Sequence, residues 1–138
     1  MTDFVLDASV TLQWFLQDEI NRKYSLDVLA ALIDRRAFVP ILWFYEIGNG
    51  LIMAYRRKRV SLDQLEGFLE RLRSLPIYPV EQTPAELLGL PLLAHTYNLT
   101  NYDAAYLALA AKLNLPLATT DKHLNEAIHA NGLEVMKI

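Results

Sequence analysis

Four acidic residues stand where a solvated surface charge is not expected. Asp7 ends the apolar run Phe4-Val5-Leu6, and Glu46 lies inside Leu42-Trp43-Phe44-Tyr45-Glu46-Ile47. Asp103 opens the alanine-rich stretch Asp103-Ala104-Ala105-Tyr106-Leu107-Ala108-Leu109-Ala110, and Asp121 closes Leu117-Ala118-Thr119-Thr120. Acidic side chains are rarely buried without a partner. If these four converge, each pair of carboxylates ~5 Å apart repels by roughly 3 kcal/mol at an effective dielectric near 20. Protons or a cation must then intervene. An all-oxygen donor set suits Mg²⁺ or Mn²⁺, and such an ion polarises a phosphoryl oxygen and lowers the pKa of a bound water. The pattern therefore points to a metal-dependent enzyme. A plainer reading stands beside it. Asp7, Asp103 and Asp121 are each near the start of a helical stretch, where aspartate is favoured by capping and by the helix dipole. Glu46 lies beyond any cap and has only a snorkelling or ion-paired side chain as its plain alternative.

The elements that must position these groups alternate between short strand-like and longer helical runs. Phe4–Leu6 reads as a strand and Ala8–Leu16 as a helix capped by Asp7. A second helix spans Arg22–Arg35, with Leu26, Leu29, Ala30 and Ile33 on one face. Ala37–Val39 is a strand ended by Pro40, and Leu42–Arg57 a helix with the apolar stripe Phe44, Ile47, Leu51 and Tyr55. Glu46, Asn49 and Met53 share another face of it. Ser61–Leu75 is a helix opened by a capping box. Ile77–Val80 is a strand whose Pro79 confines it to a sheet edge. Thr83 and Glu86 form another capping box, with Pro84 at the first helical position. That helix runs toward Tyr97 with a break or kink expected at Pro91. Asn101–Leu113 is a helix, Leu115–Thr119 a strand, Lys122–Ala130 a helix stopped by Asn131-Gly132, and Leu133–Met136 a fifth strand. Strands separated by helices imply an α/β fold: a three-layer α/β/α domain over 1–138 with a five-strand parallel sheet. Sites in such sheets form beyond the carboxyl ends of the strands, where Asp7 and Asp121 fall.

Composition narrows the classes. The chain has 138 residues, 53% of them hydrophobic and 21% charged, a size and balance that fit one soluble domain. It has no cysteine, which removes disulfides, thiolate metal sites and a cysteine nucleophile. The weakly charged stretch from Phe38 to Tyr55 holds Pro40, Glu46, Asn49 and two glycines and is a poor membrane span. With no secretory signal at its start, the expected location is cytoplasmic. A net charge of −3 does not advertise nucleic-acid binding, so a local basic patch or a bound cation would have to supply the attraction.

The same residues resemble a known family. Val5-Leu6-Asp7-Ala8-Ser9, Pro40-Ile41-Leu42-Trp43-Phe44-Tyr45-Glu46-Ile47-Gly48-Asn49, Leu99-Thr100-Asn101-Tyr102-Asp103-Ala104-Ala105-Tyr106 and Leu117-Ala118-Thr119-Thr120-Asp121-Lys122-His123-Leu124 follow one another as in the PIN-domain ribonucleases. The chain most resembles the VapC-type toxins of toxin–antitoxin modules, over essentially its whole length. The resemblance implies that Asp7, Glu46, Asp103 and Asp121 form an acidic quartet for Mg²⁺ or Mn²⁺, with Ser9 and Thr119 as supporting hydroxyls and Asn49 on the face of Glu46. It implies endonucleolytic cleavage of RNA, of the tRNA or rRNA class. It also implies a homodimer and a small antitoxin protein whose tail blocks the groove.

Other features fit this reading or stand apart from it. Arg56-Arg57-Lys58-Arg59 is a dense basic run that touches RNA phosphates or simply solvates the end of its helix. Trp14, Trp43, Phe44, Tyr45 and Tyr55 read as core or interface residues before base-stacking ones. His95, His123 and His129 read as surface or structural. The rival functions are a metal-dependent DNA or flap nuclease, and a non-catalytic interaction module whose acids cap helices. A phospho-accepting receiver domain is disfavoured, because the third strand ends Val80-Glu81-Gln82 without an acceptor aspartate.

Overall fold

The computed structural model describes residues 2–16 and 22–138. Four parallel strands, β1 (Phe4–Leu6), β2 (Ala37–Pro40), β3 (Ile77–Val80) and β4 (Leu117–Ala118), form a sheet in the order β3-β2-β1-β4. The helices are α1 (Ala8–Phe15), α2 (Arg22–Ala31), α3 (Ile41–Arg56), α4 (Leu62–Ser74), α5 (Pro84–Tyr97), α6 (Asn101–Leu113) and α7 (Lys122–Ala130). α6 lies against β1, β2 and β4, α5 and α7 pack on α6, α1 packs on α2 and α3, and α3 on α4. The result is a three-layer α/β/α arrangement. β1 is buried at all three positions, as a central parallel strand covered on both faces must be. Pro79 sits in the edge strand β3, where its missing N–H costs no ladder bond on the open side.

Both capping boxes form. Ser61 with Gln64 opens α4, and Thr83 with Glu86 opens α5.

Four expectations need correction. The fifth strand shrinks to a single bridge, Leu117 to Val135, held by Leu117 N–H to Glu134 O at 3.0 Å and Met136 N–H to Leu117 O at 2.8 Å. Its neighbour β4 is only two residues long, so there is little strand to pair with. The segment is fixed instead by the Tyr24 hydroxyl, which donates to Met136 O at 2.8 Å. Second, α5 continues through Pro91. Pro91 and Leu87 are both exposed, so the Leu87 carbonyl that loses its helical donor turns to water.

Third, α2 buries Ser25 and Val28, with Leu32 following, rather than the predicted face. Leu26 is 39% and Ile33 89% exposed. A buried polar pair decides the rotation. The Ser25 hydroxyl donates to Gln13 Oε1, and Trp14 Nε1–H donates to Ser25 O at 2.6 Å. Fourth, the buried stripe of α3 is Trp43, Ile47, Leu51 and Ala54, so Phe44 and Tyr55 face outward. Trp43 takes the core position, and Phe44 meets it edge-on with ring centroids 4.9 Å apart.

Candidate active site

The sheet register brings two strand ends together. The Asp7 N–H donates to Ala118 O at 3.0 Å, so the residues leaving β1 and β4 emerge side by side. Asp7 is buried and caps α1. The Ser9 and Thr119 hydroxyls each donate to its Oδ2 at 2.8 Å, and the Ser9 N–H reaches Oδ1 at 3.4 Å. Thr119 works in two directions: its Oγ1 also accepts from the Asp121 N–H at 3.0 Å. One buried hydroxyl therefore fixes Asp7 and the backbone that carries Asp121. Asp121 in turn caps α7, its Oδ1 accepting from Leu124 N–H at 2.8 Å. The Thr120 hydroxyl donates to Ser9 Oγ at 3.4 Å and closes a chain of hydroxyls across the two strand ends.

The other two acids come from helices. α3 starts directly after β2, so Glu46 lies about a turn and a half above the sheet edge. Its Oε1 accepts from the Tyr106 hydroxyl at 2.6 Å. Asp103 stands in the first turn of α6, where its N–H donates to the Thr100 cap oxygen at 3.0 Å. Asn49, one turn beyond Glu46, is exposed and makes no hydrogen bond with the acids among the described residues.

The electrostatics tie the acids into one site. Burial pushes the Asp7 carboxyl up to about 6; hydrogen bonds from Thr119 and Ser9 oppose this, and the Glu46 charge adds to it. Burial also raises Glu46, against the Tyr106 hydrogen bond and with help from the Asp103 charge. Asp103 is pushed up to about 6 by burial, then by the charges of Asp121 and Asp7, while Thr100 and His123 pull it down. These carboxyls thus raise one another. The ion pairs Lys23–Asp27, Arg36–Asp3, Arg73–Glu70 and Lys112–Glu86 all lie elsewhere.

The donor set fits a hard divalent cation: carboxylate oxygens only, partly desolvated, with mutual repulsion left uncancelled. Among the described residues, no three acidic or histidine side chains are already gathered as a cage. Much of each acid is committed to its own partner, Asp7 to hydroxyls, Glu46 to Tyr106 and Asp121 to Leu124 N–H. Mutual repulsion of ionised carboxylates opposes closer approach.

Two participants escaped the sequence: Tyr106 and Thr120. Tyr106 lies three residues after Asp103, on the same face of α6. That spacing was the available signal.

A groove of about 330 Å³ opens between the starts of α3, α5 and α6, lined in part by Ile41, Tyr45, Leu87, Leu90 and Tyr102. A larger one, about 990 Å³, lies away from the acids, between Trp14, Phe15, Arg22, Arg59 and Phe68.

Comparison with known proteins identifies the family. The PIN domain model matches residues 4–129. The chain is 32% identical to Ribonuclease VapC3 of Pyrobaculum aerophilum over 130 residues, covering 91% of this chain and 95% of that protein. It is 33% identical to Ribonuclease VapC9 of Mycobacterium tuberculosis over 124 residues, covering 88% of each. Its fold superposes on a toxin–antitoxin complex from Klebsiella pneumoniae with a TM-score of 0.62 at 17% identity, over 86% of this chain and 87% of that one. With matching elements, matching order and nearly complete coverage, the chain belongs to the PIN-domain family.

Proposed function

We propose that this chain is a divalent-metal-dependent endoribonuclease, the toxin of a toxin–antitoxin pair, acting as a single nuclease domain. The observation that carries the reading is the convergence of Asp7, Glu46 and Asp103, each with its carboxyl held above the ordinary range, at the carboxyl edge of a PIN fold. Asp7, Asp103 and Asp121 would hold Mg²⁺ or Mn²⁺ directly, and Glu46 directly or through water. Such a cation supplies, when bound, charge neutralisation on the phosphodiester and a more acidic coordinated water. The chain's own part is positional. Ser9 and Thr119 fix the rotamer of Asp7, and the Thr119 contact to Asp121 N–H sets the neighbouring loop. Thr100 places Asp103 through the first turn of α6.

RNA is the proposed substrate, since relatives matched over most of their length are named ribonucleases, and the tRNA or rRNA class follows from the family resemblance. The proposed protein partner is an antitoxin, supported by the toxin–antitoxin complex that shares the fold. A homodimer is proposed on the exposed apolar side chains Leu88, Leu92, Tyr45 and Tyr102. No helix among the described residues is long and apolar enough to cross a membrane.

Incubation with RNA and DNA of equal sequence, with Mg²⁺ and with EDTA, tests the reading. RNA should be cut and DNA spared, with EDTA abolishing cleavage. Asp7→Asn should lower the RNA rate at least 100-fold with its circular dichroism spectrum unchanged. Undiminished cleavage in EDTA or by Asp7→Asn refutes the mechanism, and preferential DNA cleavage refutes the substrate.

A further inference from the structure

Tyr106 stands inside the acidic site without being acidic. It is 1% exposed, and its ring fills the core beside Leu107 and Leu109. A phenylalanine would fill that space equally well. The hydroxyl is what is specific, and it is directed at Glu46 Oε1 across 60 residues of chain. At 2.6 Å an O–H···O⁻ contact is a strong, charge-assisted bond. A tyrosine phenol carries its proton at neutral pH, so in this contact the hydroxyl is the donor and the carboxylate the acceptor. The bond engages one carboxylate oxygen and leaves Oε2 for another partner.

We propose that Tyr106 is a positioning residue of this site: its hydroxyl pins Glu46 by Oε1 and presents the other oxygen to the cation shared with Asp7 and Asp103. This rests on the metal-site reading above. It also assigns α6 a double task, since Asp103 and Tyr106 project from successive turns of one face. One helix then sets its own ligand and orients the ligand of α3. Partners that orient a metal ligand in this way typically influence metal affinity by 10–100-fold.

A double-mutant cycle read by Mn²⁺ binding calorimetry tests it, with wild type, Tyr106→Phe, Glu46→Gln and the double variant. Tyr106→Phe should weaken Mn²⁺ binding about 10-fold, lower kcat more than it raises KM, and leave the melting temperature in EDTA within a few degrees. In the Glu46→Gln background the same change should cost no further affinity. Glu46→Asp is a second arm that leaves Tyr106 and the core untouched. It keeps the charge but withdraws it from the phenol, and it should lose affinity to a similar degree. Wild-type affinity in Tyr106→Phe or in Glu46→Asp overturns the proposal, as does an equal loss from Tyr106→Phe in both backgrounds. Wild-type protein that takes up no Mn²⁺ overturns the metal site and this inference together, whereas wild-type uptake with an unaffected Tyr106→Phe overturns this inference alone.

Discussion

Asp7 shows what a buried acid costs the fold. Its folded carboxyl titrates near 6 because it is buried, whereas the same group in an unfolded chain titrates near 3.9. The folded state therefore holds more protons between about pH 4 and 6. Stability from this group is fully present below pH 4 and is lost as pH rises through 6. Asp7→Asn keeps the cap, since asparagine is an equally good N-cap, and removes the buried charge. In EDTA at pH 8 that variant should be more stable than wild type by about 1–3 kcal/mol, and the difference should vanish near pH 4. Denaturant melts at the two pH values check this, and equal stability at pH 8 refutes it. Cleavage has the opposite pH dependence. Asp7 and Asp103 must ionise to bind a cation, so the rate should fall as pH drops below about 6, which a rate profile from pH 5 to 8 reads directly. The acids were legible in the sequence because charge in apolar company is conspicuous. Tyr106 was not, because an aromatic residue in a buried helix looks like core until its partner, 60 residues away, is placed.

At the scale of elements, order and type were legible and faces were less so. Caps report themselves locally: Ser61 with Gln64 and Thr83 with Glu86 form as read because both partners sit within one turn. The face of α2 was misread because hydrophobicity alone cannot foresee that Ser25 is satisfied by Gln13 and therefore goes inside in place of Leu26. The fifth strand was legible as an apolar run, but pairing depends on the length of its neighbour, and β4 offers only two residues. α5 carries a correctable flaw. Pro91 removes a helical hydrogen bond at an exposed site and packs into no core cluster. Pro91→Ala should raise stability by about 1–3 kcal/mol with cleavage unchanged. A lower melting temperature would show that the proline supports the local path of the helix.

For the whole molecule, cation binding should appear as stability. An ion that binds only the folded state at a hundredfold excess over its Kd contributes about 2.7 kcal/mol. Mn²⁺ should therefore raise the melting temperature of wild type and leave that of Asp103→Asn nearly unchanged; equal shifts would mean that the ion binds elsewhere. The sheet order has a separate consequence, for the moment at which the protein becomes active. β1 is made first, yet one of its edges waits for β4, and the Thr119 hydroxyl that holds Asp7 arrives 112 residues later. The shortest N-terminal piece of the chain that contains Asp7, Asp103, Thr119 and Asp121 together runs to residue 121. A growing chain should therefore acquire the arrangement of the candidate site only late in its synthesis, when β4 pairs with β1.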